Sequence, residues 1–381
     1  MPFQKLRKKA LNGVQPRIFS FSSGGGLLDL GFEKEGYEVA FVNEISPSFM
    51  NAYIYARSKM GLPQPKYGYF NLDINKFLSD RKSELVSFVR DTQEEHRLAG
   101  FIGGPPCPDF SIAGKNKGAS GRNGKLSLSY VKLITEVKPD FFLFENVKGL
   151  WQTARHRAYY EELKTMLHSV GYCTSERLCN ALEFGAPQDR ERIILFGVAK
   201  DVVTNCGNTK EITNFPWSEN MSFNAEIVKG ANWCLATKFG CDSSPPIAYD
   251  MKQLTVQYWF DRNDVEHHPN ANNHFKPRSG IAKMKTIQEG DVSHKSYKRL
   301  HRYRYSPTAA YGNNEVHLHP YKERRISAAE AMAIQSLPKE FELPPDMSLS
   351  DMFKMIGNGV PFLLSKGIAK TIRQYLEENV C

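Results

Sequence analysis

Cys107 is the residue whose surroundings most suggest chemistry. It stands in the run Gly103-Gly104-Pro105-Pro106-Cys107-Pro108-Asp109-Phe110-Ser111. Prolines on both sides stiffen the backbone and aim the thiol in one direction. Packing cysteines usually lie in periodic apolar segments, whereas nucleophiles favour scaffolded loops of this kind. A second candidate ends the run Phe141-Phe142-Leu143-Phe144-Glu145-Asn146-Val147, where an apolar stretch stops abruptly at a carboxyl group. An acid beside apolar walls has its pKa raised and can donate a proton. Asn146 reads equally well as a helix-start cap. Third, Gln188-Asp189-Arg190-Glu191-Arg192 leads into an apolar run. Arginines two apart on a strand share a face, so Arg190 and Arg192 can both look into a site. The alternative is an exposed ion-pair ladder with Asp189 and Glu191.

Two glycine-rich stretches suit a ligand rather than a reaction. Phe21-Ser22-Ser23-Gly24-Gly25-Gly26-Leu27-Leu28 follows a strand pattern and opens a helical one. Glycines there admit a ligand to the backbone, and a helix start offers free N–H groups. Glu44 closes the next strand, where an acid can bind ribose hydroxyls, and Asp73 follows the strand region after that. Alone, these residues indicate either a nucleotide-containing cofactor or a tight structural turn. Near the end of the chain, Gly357-Asn358-Gly359 precedes the last helical pattern and is expected to cap its start.

The elements that must position these groups are legible as alternating patterns. Strands are expected over 17–22, 38–43, 100–103, 140–145, 172–178 and 192–198, with helices over 48–59, 126–137 and 157–169 between them. Such alternation implies a parallel sheet covered by helices on both faces, with ligands bound at the carboxyl ends of strands. The pattern breaks after residue 200. Residues 201–320, rich in Asn, Pro, His and Lys, predict an irregular second domain of short strands and long loops. Order returns at Ser327, which caps a helix with Glu330 at the capping-box position, and a final helix is expected over 362–375.

With 381 residues and 41% hydrophobic content, the chain has ample material for two domains. It shows no membrane-length apolar run and no secretory pattern, so a cytoplasmic protein is expected. The seven cysteines are odd in number, irregularly spaced and without a C-x-x-C, which favours neither a disulfide framework nor a zinc site. Cys173 and Cys179 read as small core residues, and no metal is expected. The net charge of +9 is unevenly placed. Residues 1–17 carry five Lys/Arg and no acid, and read as a solvated tail. Residues 276–325 carry twelve Lys/Arg against four acids, interleaved with Tyr297, His301, Tyr303, Tyr305 and Tyr311. That pattern suits a polyanion, because each neutralised phosphate releases a counterion.

Taken in order, Pro-Pro-Cys, Glu-Asn-Val and Gln-x-Arg-x-Arg resemble the C5-type cytosine-specific DNA methyltransferase family of bacterial restriction–modification systems. The resemblance covers residues 17–200 and 324–377. It implies a Rossmann-like S-adenosylmethionine-dependent α/β sheet over residues 1–200, a smaller irregular target-recognition domain over 201–323, and a C-terminal segment, 324–381, returning to the first. It further implies that Phe21, Gly25, Gly26, Glu44, Ile45, Asp73, Ile74, Asn358 and Gly359 line the S-adenosylmethionine pocket. Glu44 would hold the ribose and Asp73 the adenine amino group. Cys107, Glu145, Arg190 and Arg192 would form the catalytic centre. Ser111, Gln188, Lys298, Arg299, Arg302 and Arg304 would contact DNA, and Arg325, Ser327, Glu330 and Gln335 would match the helix supporting the recognition domain. The sequence departs from the family at Ser23, where a glycine is usual, at Phe19, where an acid is common, and at Pro108, where glutamine usually follows the nucleophile.

The implied reaction is methyl transfer to C5 of a cytosine in double-stranded DNA, by a monomer, alongside a cognate restriction endonuclease. A thiolate added to C6 makes C5 nucleophilic, Glu145 serves N3, and Arg192 helps ionise a thiol whose ordinary pKa is ~8.5. The base must leave the stack. A water near Asn146 is one candidate for the base that removes the C5 proton. The competing reading is an RNA (tRNA) cytosine-5 methyltransferase on the same fold. The Cys-Phe-Thr signature of that branch is absent, and the irregular insert is large. A catalytically dead DNA-binding module would lack the thiol or the acid. A dehydrogenase would spell Gly-x-Gly-x-x-Gly, and an amino-group methyltransferase would not place Gly104 and Cys107 around Pro105-Pro106.

Overall fold

The structure, a computed structural model, describes residues 15–105, 122–203, 210–242, 249–276, 281–294, 296–309, 311 and 316–380. Seven strands form one sheet: β1 (Arg17–Phe21), β2 (Glu38–Asn43), β3 (Tyr69–Phe70), β4 (Ala99–Gly103), β5 (Phe141–Val147), β6 (Tyr172–Asn180) and β7 (Glu191–Ala199). Their order is β3-β2-β1-β4-β5-β7-β6. Strands β1 to β5 run parallel, but β7 is antiparallel to both β5 and β6. The expectation of a parallel sheet is therefore corrected at one edge.

Strands buried on both faces read as unbroken apolar runs, and side chains still alternate between faces. Ile18, Val42, Ile102, Phe141 and Leu143 enter one core. Phe19, Phe21, Phe41, Phe101, Phe142 and Phe144 enter the other. The first core is closed by helices α1 (Leu27–Lys34) and α12 (Phe362–Asn379). They pack closely because Gly31 leaves no side chain in the path of Ser365, whose hydroxyl donates to the Leu28 carbonyl. The second core lies beneath α3 (Lys82–Glu94), α4 (Arg122–Val137) and α6 (Ala154–Ser169). Two further helices flank the strand ends, α2 (Pro47–Lys59) and α5 (Lys148–Gln152).

The chain does not leave the sheet at residue 200. Ile212 and Phe215 join the first core, and the Ile212 N–H donates to the Thr174 carbonyl at 2.8 Å. Cys179 is a free, buried core thiol as expected, whereas Cys173 is buried and disulfide-bonded, which its spacing did not foretell. Among the described residues of 201–323, strand pairing is limited to isolated bridges. Short helices predominate instead: α7 (Ala225–Gly230), α8 (Val256–Arg262) and α9 (Ile281–Thr286).

The C-terminal segment then returns through α10 (Ala328–Ile334) and α11 (Leu349–Asn358). A third core joins Val256, Trp259 and Phe260 to Met332, Phe353 and Met355, and reaches Leu27, Leu30 and Phe49 beside the sheet. The capping box at α10 forms as read: the Glu330 N–H donates to Ser327 Oγ at 3.2 Å and the Ser327 N–H to Glu330 Oε2 at 2.8 Å. The arginine paired with Glu330 is Arg324, at 2.7 and 2.8 Å, and not Arg325, which donates to the Val316 carbonyl. No helix among the described residues is long and apolar enough to cross a membrane.

Candidate active site

Phe21 pairs with Asn43 on one side and Gly103 on the other, and Gly103 pairs with Phe144. The turn after β1, the acid after β2, the loop after β4 and the acid of β5 therefore leave one edge of the sheet. Neighbouring strands lie ~4.8 Å apart. The order reverses between β1 and β4, the crevice where open α/β sheets bind ligands.

The residues expected to be catalytic lie on β4, β5 and β7 and the loops beside them. Glu145 is 8% exposed, and its Oε1 lies 3.0 Å from Arg192 Nε. Antiparallel pairing sets Glu145 opposite Ile194 and Val147 opposite Arg192, so the two side chains meet on the diagonal. Burial lifts the Glu145 pKa above the usual carboxyl range, and Arg192 and then Arg190 pull it back only in part. A group so balanced can hold a proton for a base and remain tethered. Its other oxygen faces Gly104: a Cβ there would stand 2.5 Å from Oε2. Asn146 is buried; its Oδ1 accepts from the Val147 N–H at 2.8 Å, and Nδ2 has no hydrogen-bond partner among the described residues. Cys107 and Ser111 lie outside the described residues.

Two residues assigned to the site prove to be struts. Arg190 is 1% exposed and donates to the carbonyls of Ala309 (3.2 Å), Gly357 (2.9 Å) and Gly359 (3.0 Å). Its burial lowers its pKa, and Arg192 adds to that. It precedes β7 and is not held to the strand's alternation, which is why the two arginines diverge. Gln188, expected to contact DNA, is fully buried. It accepts from the Ala309 N–H at 2.9 Å and donates to Gln335 Oε1 at 3.1 Å. Gln188, Arg190 and Gln335 thus clasp the start of β7 to the end of α11.

The residues expected to bind the cofactor lie mostly at the ends of β1 to β3. Ser22, Gly24 and Gly26 have φ of 52°, 57° and 81°, so the turn winds through the left-handed region. Ser23, the departure from the family pattern, is not among the positive-φ residues, and its N–H and Oγ both donate to the Asn43 carbonyl. Glu44 accepts from the Gly24 N–H on Oε2 and from the Ser46 N–H on Oε1, each at 2.8 Å. Each carboxylate oxygen keeps a lone pair for a further donor. Ile45 next to it is 54% exposed, an apolar face of the kind a purine ring covers. Asp73 caps a short 3₁₀ helix through Oδ1, which accepts from Asn75. Ile74 opens that helix, so its N–H has no intrahelical acceptor.

Gly25 and Gly359 give the end of α11 room to close on the turn, against Met355 and Leu27. Gly357-Asn358-Gly359 ends α11 instead of starting the last helix, which begins at Phe362 with Pro361 at its cap. Asn358 is exposed there. The Phe21 ring, by contrast, is 1% exposed and packs among Phe41, Phe77, Phe101 and Tyr130. It walls the core behind the turn and does not line an open pocket. These donors, acceptors and the apolar face suit the nucleoside and amino-acid ends of S-adenosylmethionine.

A family model described as C-5 cytosine-specific DNA methylase matches residues 17–374. The chain belongs to this family. A Type II methyltransferase of Neisseria meningitidis serogroup C, M.NmeDI, is 56% identical over 374 residues, spanning 98% of this chain and 86% of that one. M.FnuDI of Fusobacterium nucleatum, also named a Type II methyltransferase, is 28% identical over 95% and 96% of the two chains. Among solved structures, the S. pombe Dnmt2 methyltransferase matches with a TM-score of 0.60 at 14% identity, over 96% and 99% of the two chains. The last likeness bears on the fold alone. The family uses S-adenosylmethionine, which implies that donor here.

As a DNA cytosine-5-methyltransferase, the chain needs a surface for phosphates, and the basic segment divides into two kinds of residue. Arg299 is fully buried. It donates to the carbonyls of Ile287 (3.0 Å), Met284 (2.6 Å) and Lys322 (3.3 Å) and stacks 4.1 Å from the Phe239 centroid; burial draws its pKa down to about 10. Arg302 grips the buried Glu289 at 2.8 and 2.9 Å. Both were expected on DNA and are internal struts instead. Lys298 and Arg304 are half-buried, with no side-chain hydrogen bond or ion pair among the described residues; Arg304 lies over the Tyr305 ring. Sequence reasoning placed Gly104 in the cysteine loop but gave it no role, because the contact with Glu145 is made by the absence of a side chain.

Proposed function

We propose that the enzyme methylates C5 of a cytosine within a specific double-stranded DNA sequence, through a transient bond between the Cys107 sulfur and C6 of a base turned out of the stack. One observation carries this reading. The buried Glu145, tethered by Arg192, touches the chain at Gly104, three residues before Cys107. The thiolate adds to C6 while Glu145 gives a proton or hydrogen bond to N3, so the electron pair is stabilised toward that nitrogen. C5 becomes enamine-like. When bound, S-adenosylmethionine supplies a methyl group on a cationic sulfur. A base then removes the C5 proton, the C5–C6 double bond re-forms, Cys107 leaves as thiolate, and any proton lent to N3 returns to Glu145. Arg192 orients Glu145 and favours the ionised thiol.

Glu44 and Ile45 are assigned to the ribose and adenine, Asp73 and the Ile74 N–H to the adenine edge, and Gly25, Gly26, Asn358 and Gly359 to the remaining wall. Residues 1–200 and 324–381 form the catalytic unit in this reading. Residues 201–323 read the duplex through the major groove, where base pairs are distinguishable. Lys298, Arg304 and Ser111 anchor phosphates. The enzyme works in the cytoplasm as a monomer and protects its target from a cognate endonuclease.

The test is a duplex carrying 5-fluorocytosine at the target. Fluorine blocks removal of the C5 substituent, so a covalent complex should accumulate in the presence of donor and map to Cys107 by peptide mass. Cys107→Ala should form none while still binding S-adenosylhomocysteine. A wild-type enzyme that methylates ordinary duplex yet traps nothing would refute the thiol pathway.

A further inference from the structure

Beneath the glycine turn lies a buried acid that the chemistry above does not use. Asp29, in the first turn of α1, is fully buried. Its Oδ1 accepts from Ser20 Oγ of β1 at 2.8 Å, and its Oδ2 accepts from the Tyr53 hydroxyl of α2, also at 2.8 Å. The Tyr53 ring fills the space beside Gly26, where a Cβ would stand 2.5 Å from a ring carbon. One carboxylate therefore ties the strand that enters the turn, the helix that leaves it, and the helix that follows Glu44. The tie continues outward: Arg57, one turn after Tyr53, pairs with Glu33 of α1 at 2.8 and 2.9 Å. At the other end of the same unit, Glu44 receives N–H groups from both the turn and the start of α2.

Burial raises the Asp29 pKa from 3.8 to about 6, so at neutral pH a charge is kept here against its desolvation cost. Two hydroxyl donors, Arg57 and the amino end of α1 offset that cost. Leucine or valine would pack this position without the penalty, but neither would hold two hydroxyls at once.

We propose that Asp29 is a positioning residue of the cofactor site: through Ser20 and Tyr53 it fixes the distance between the glycine turn and Glu44 that a bound nucleoside requires. The inference rests on the turn being the S-adenosylmethionine cradle. A carboxylate suits the task because it accepts from both hydroxyls and donates to neither. In Asp29→Asn one hydroxyl meets an NH₂ group and must turn its hydrogen into the core, where an unsatisfied donor is costly. Tyr53→Phe keeps the ring against Gly26 and removes only the bond.

The experiment is calorimetric titration of S-adenosylhomocysteine into full-length wild type, Asp29→Asn and Tyr53→Phe, with thermal unfolding and steady-state methyl transfer recorded on the same preparations. Each variant should bind about tenfold more weakly. The KM for the donor should rise by a similar factor, while kcat at saturation and duplex affinity stay near wild type. Variants that melt earlier yet bind like wild type would reduce Asp29 to a packing residue and overturn the proposal. If Asp29→Asn does not fold, Ser20→Ala removes one of the two bonds and must still weaken binding by about threefold. A wild type that binds no S-adenosylhomocysteine would overturn the cradle reading, and this proposal with it. Normal wild-type binding with unaffected variants would overturn the role of Asp29 alone.

Discussion

Gly104→Ala adds one methyl group where the chain meets Glu145, the proposed catalytic acid. The backbone at Gly104 has no left-handed φ, so alanine is acceptable there on conformational grounds. The difficulty is room. The new Cβ would stand 2.5 Å from Glu145 Oε2 and 3.6 Å from its Cδ. To reach ordinary van der Waals separation, the oxygen must retreat by about 1 Å. It is not free to do so, because Oε1 is held 3.0 Å from Arg192 Nε and the carboxyl is enclosed. A catalytic group misplaced by ~1 Å costs on the order of 10²-fold in rate, or ~2.7 kcal/mol on the barrier. Single-turnover transfer of a labelled methyl group to duplex DNA, with enzyme in excess, isolates that step. Affinity for S-adenosylhomocysteine should be unchanged, since the turn after β1 and Glu44 lie on other strands. Transfer within about threefold of wild type, in a variant that folds and binds the product normally, would show that Glu145 need not occupy the observed position. The proton-donor role argued for it would then fail.

Arg190→Ala should destabilise the fold, because the carbonyls of Ala309 and Gly357 lose their donor and that of Gly359 keeps only Gln335 Nε2 at 3.3 Å. At ~1–3 kcal/mol for each of the two buried orphans, urea unfolding should report a loss of at least ~2 kcal/mol, and a loss below ~0.5 kcal/mol would remove the clasp from the account. Arg302→Ala should strand the buried Glu289 and cost ~3–5 kcal/mol of stability, with the salt dependence of duplex binding unaltered. Lys298→Ala and Arg304→Ala should do the reverse, lowering the slope of log K against log salt by about 1 each; an unchanged slope would withdraw them from the phosphate surface. Asp29 makes stability depend on pH. Its folded pKa of about 6 exceeds the ordinary 3.8, so its proton stabilises the fold fully at low pH, and that contribution fades as pH rises through about 6. A shift of about 2 units corresponds to ~3 kcal/mol. The urea midpoint of wild type relative to Asp29→Asn should therefore fall as pH rises from about 4 to about 6 and level off above that; parallel profiles would count against a raised Asp29 pKa.

The parts of the structure that were legible in the sequence are those in which a local signal is the cause. Buried strands announce themselves as apolar runs, and six of the seven were found close to their observed limits. The two-residue β3 carries too little pattern to register. Ser327 and Glu330 spell a capping box whose bonds are local, and they form. The failures share a different cause. Arg190, Arg299 and Arg302 show their charge in the sequence but not their partners, which are backbone carbonyls and an acid 12 or more residues away. Gln188 is polar in the sequence and buried in the fold for the same reason. Gly357-Asn358-Gly359 was legible as a helix boundary, but glycine and asparagine serve both ends of helices, and the preceding α11 is what they terminate.

The reversal of β7 is what brings Arg192 to Glu145. Gln-x-Arg-x-Arg leads into its strand, with Arg192 the second residue of β7, whereas Glu44 and Gly104 follow theirs and Glu145 lies toward the carboxyl end of β5. In a wholly parallel sheet these arginines would lie at the amino edge, a full strand length from Glu145. Because β7 runs antiparallel to β5, its first residues arrive at the carboxyl edge, and Arg192 faces Val147 there. The same reversal brings Arg190 to the end of α11, so one short segment touches Glu145 with one arginine and the carbonyls of Gly357 and Gly359, assigned to the cofactor wall, with the other. Any displacement of Gly357 and Gly359 on donor binding would reach the start of β7 through Arg190, which stands two residues from Arg192, the partner of Glu145. A spectroscopic probe on β7 near Arg192 should therefore respond to S-adenosylhomocysteine in wild type and lose the response in Arg190→Lys, whose single ammonium cannot bridge all three carbonyls. An equal response in both would leave the two halves of the site mechanically independent.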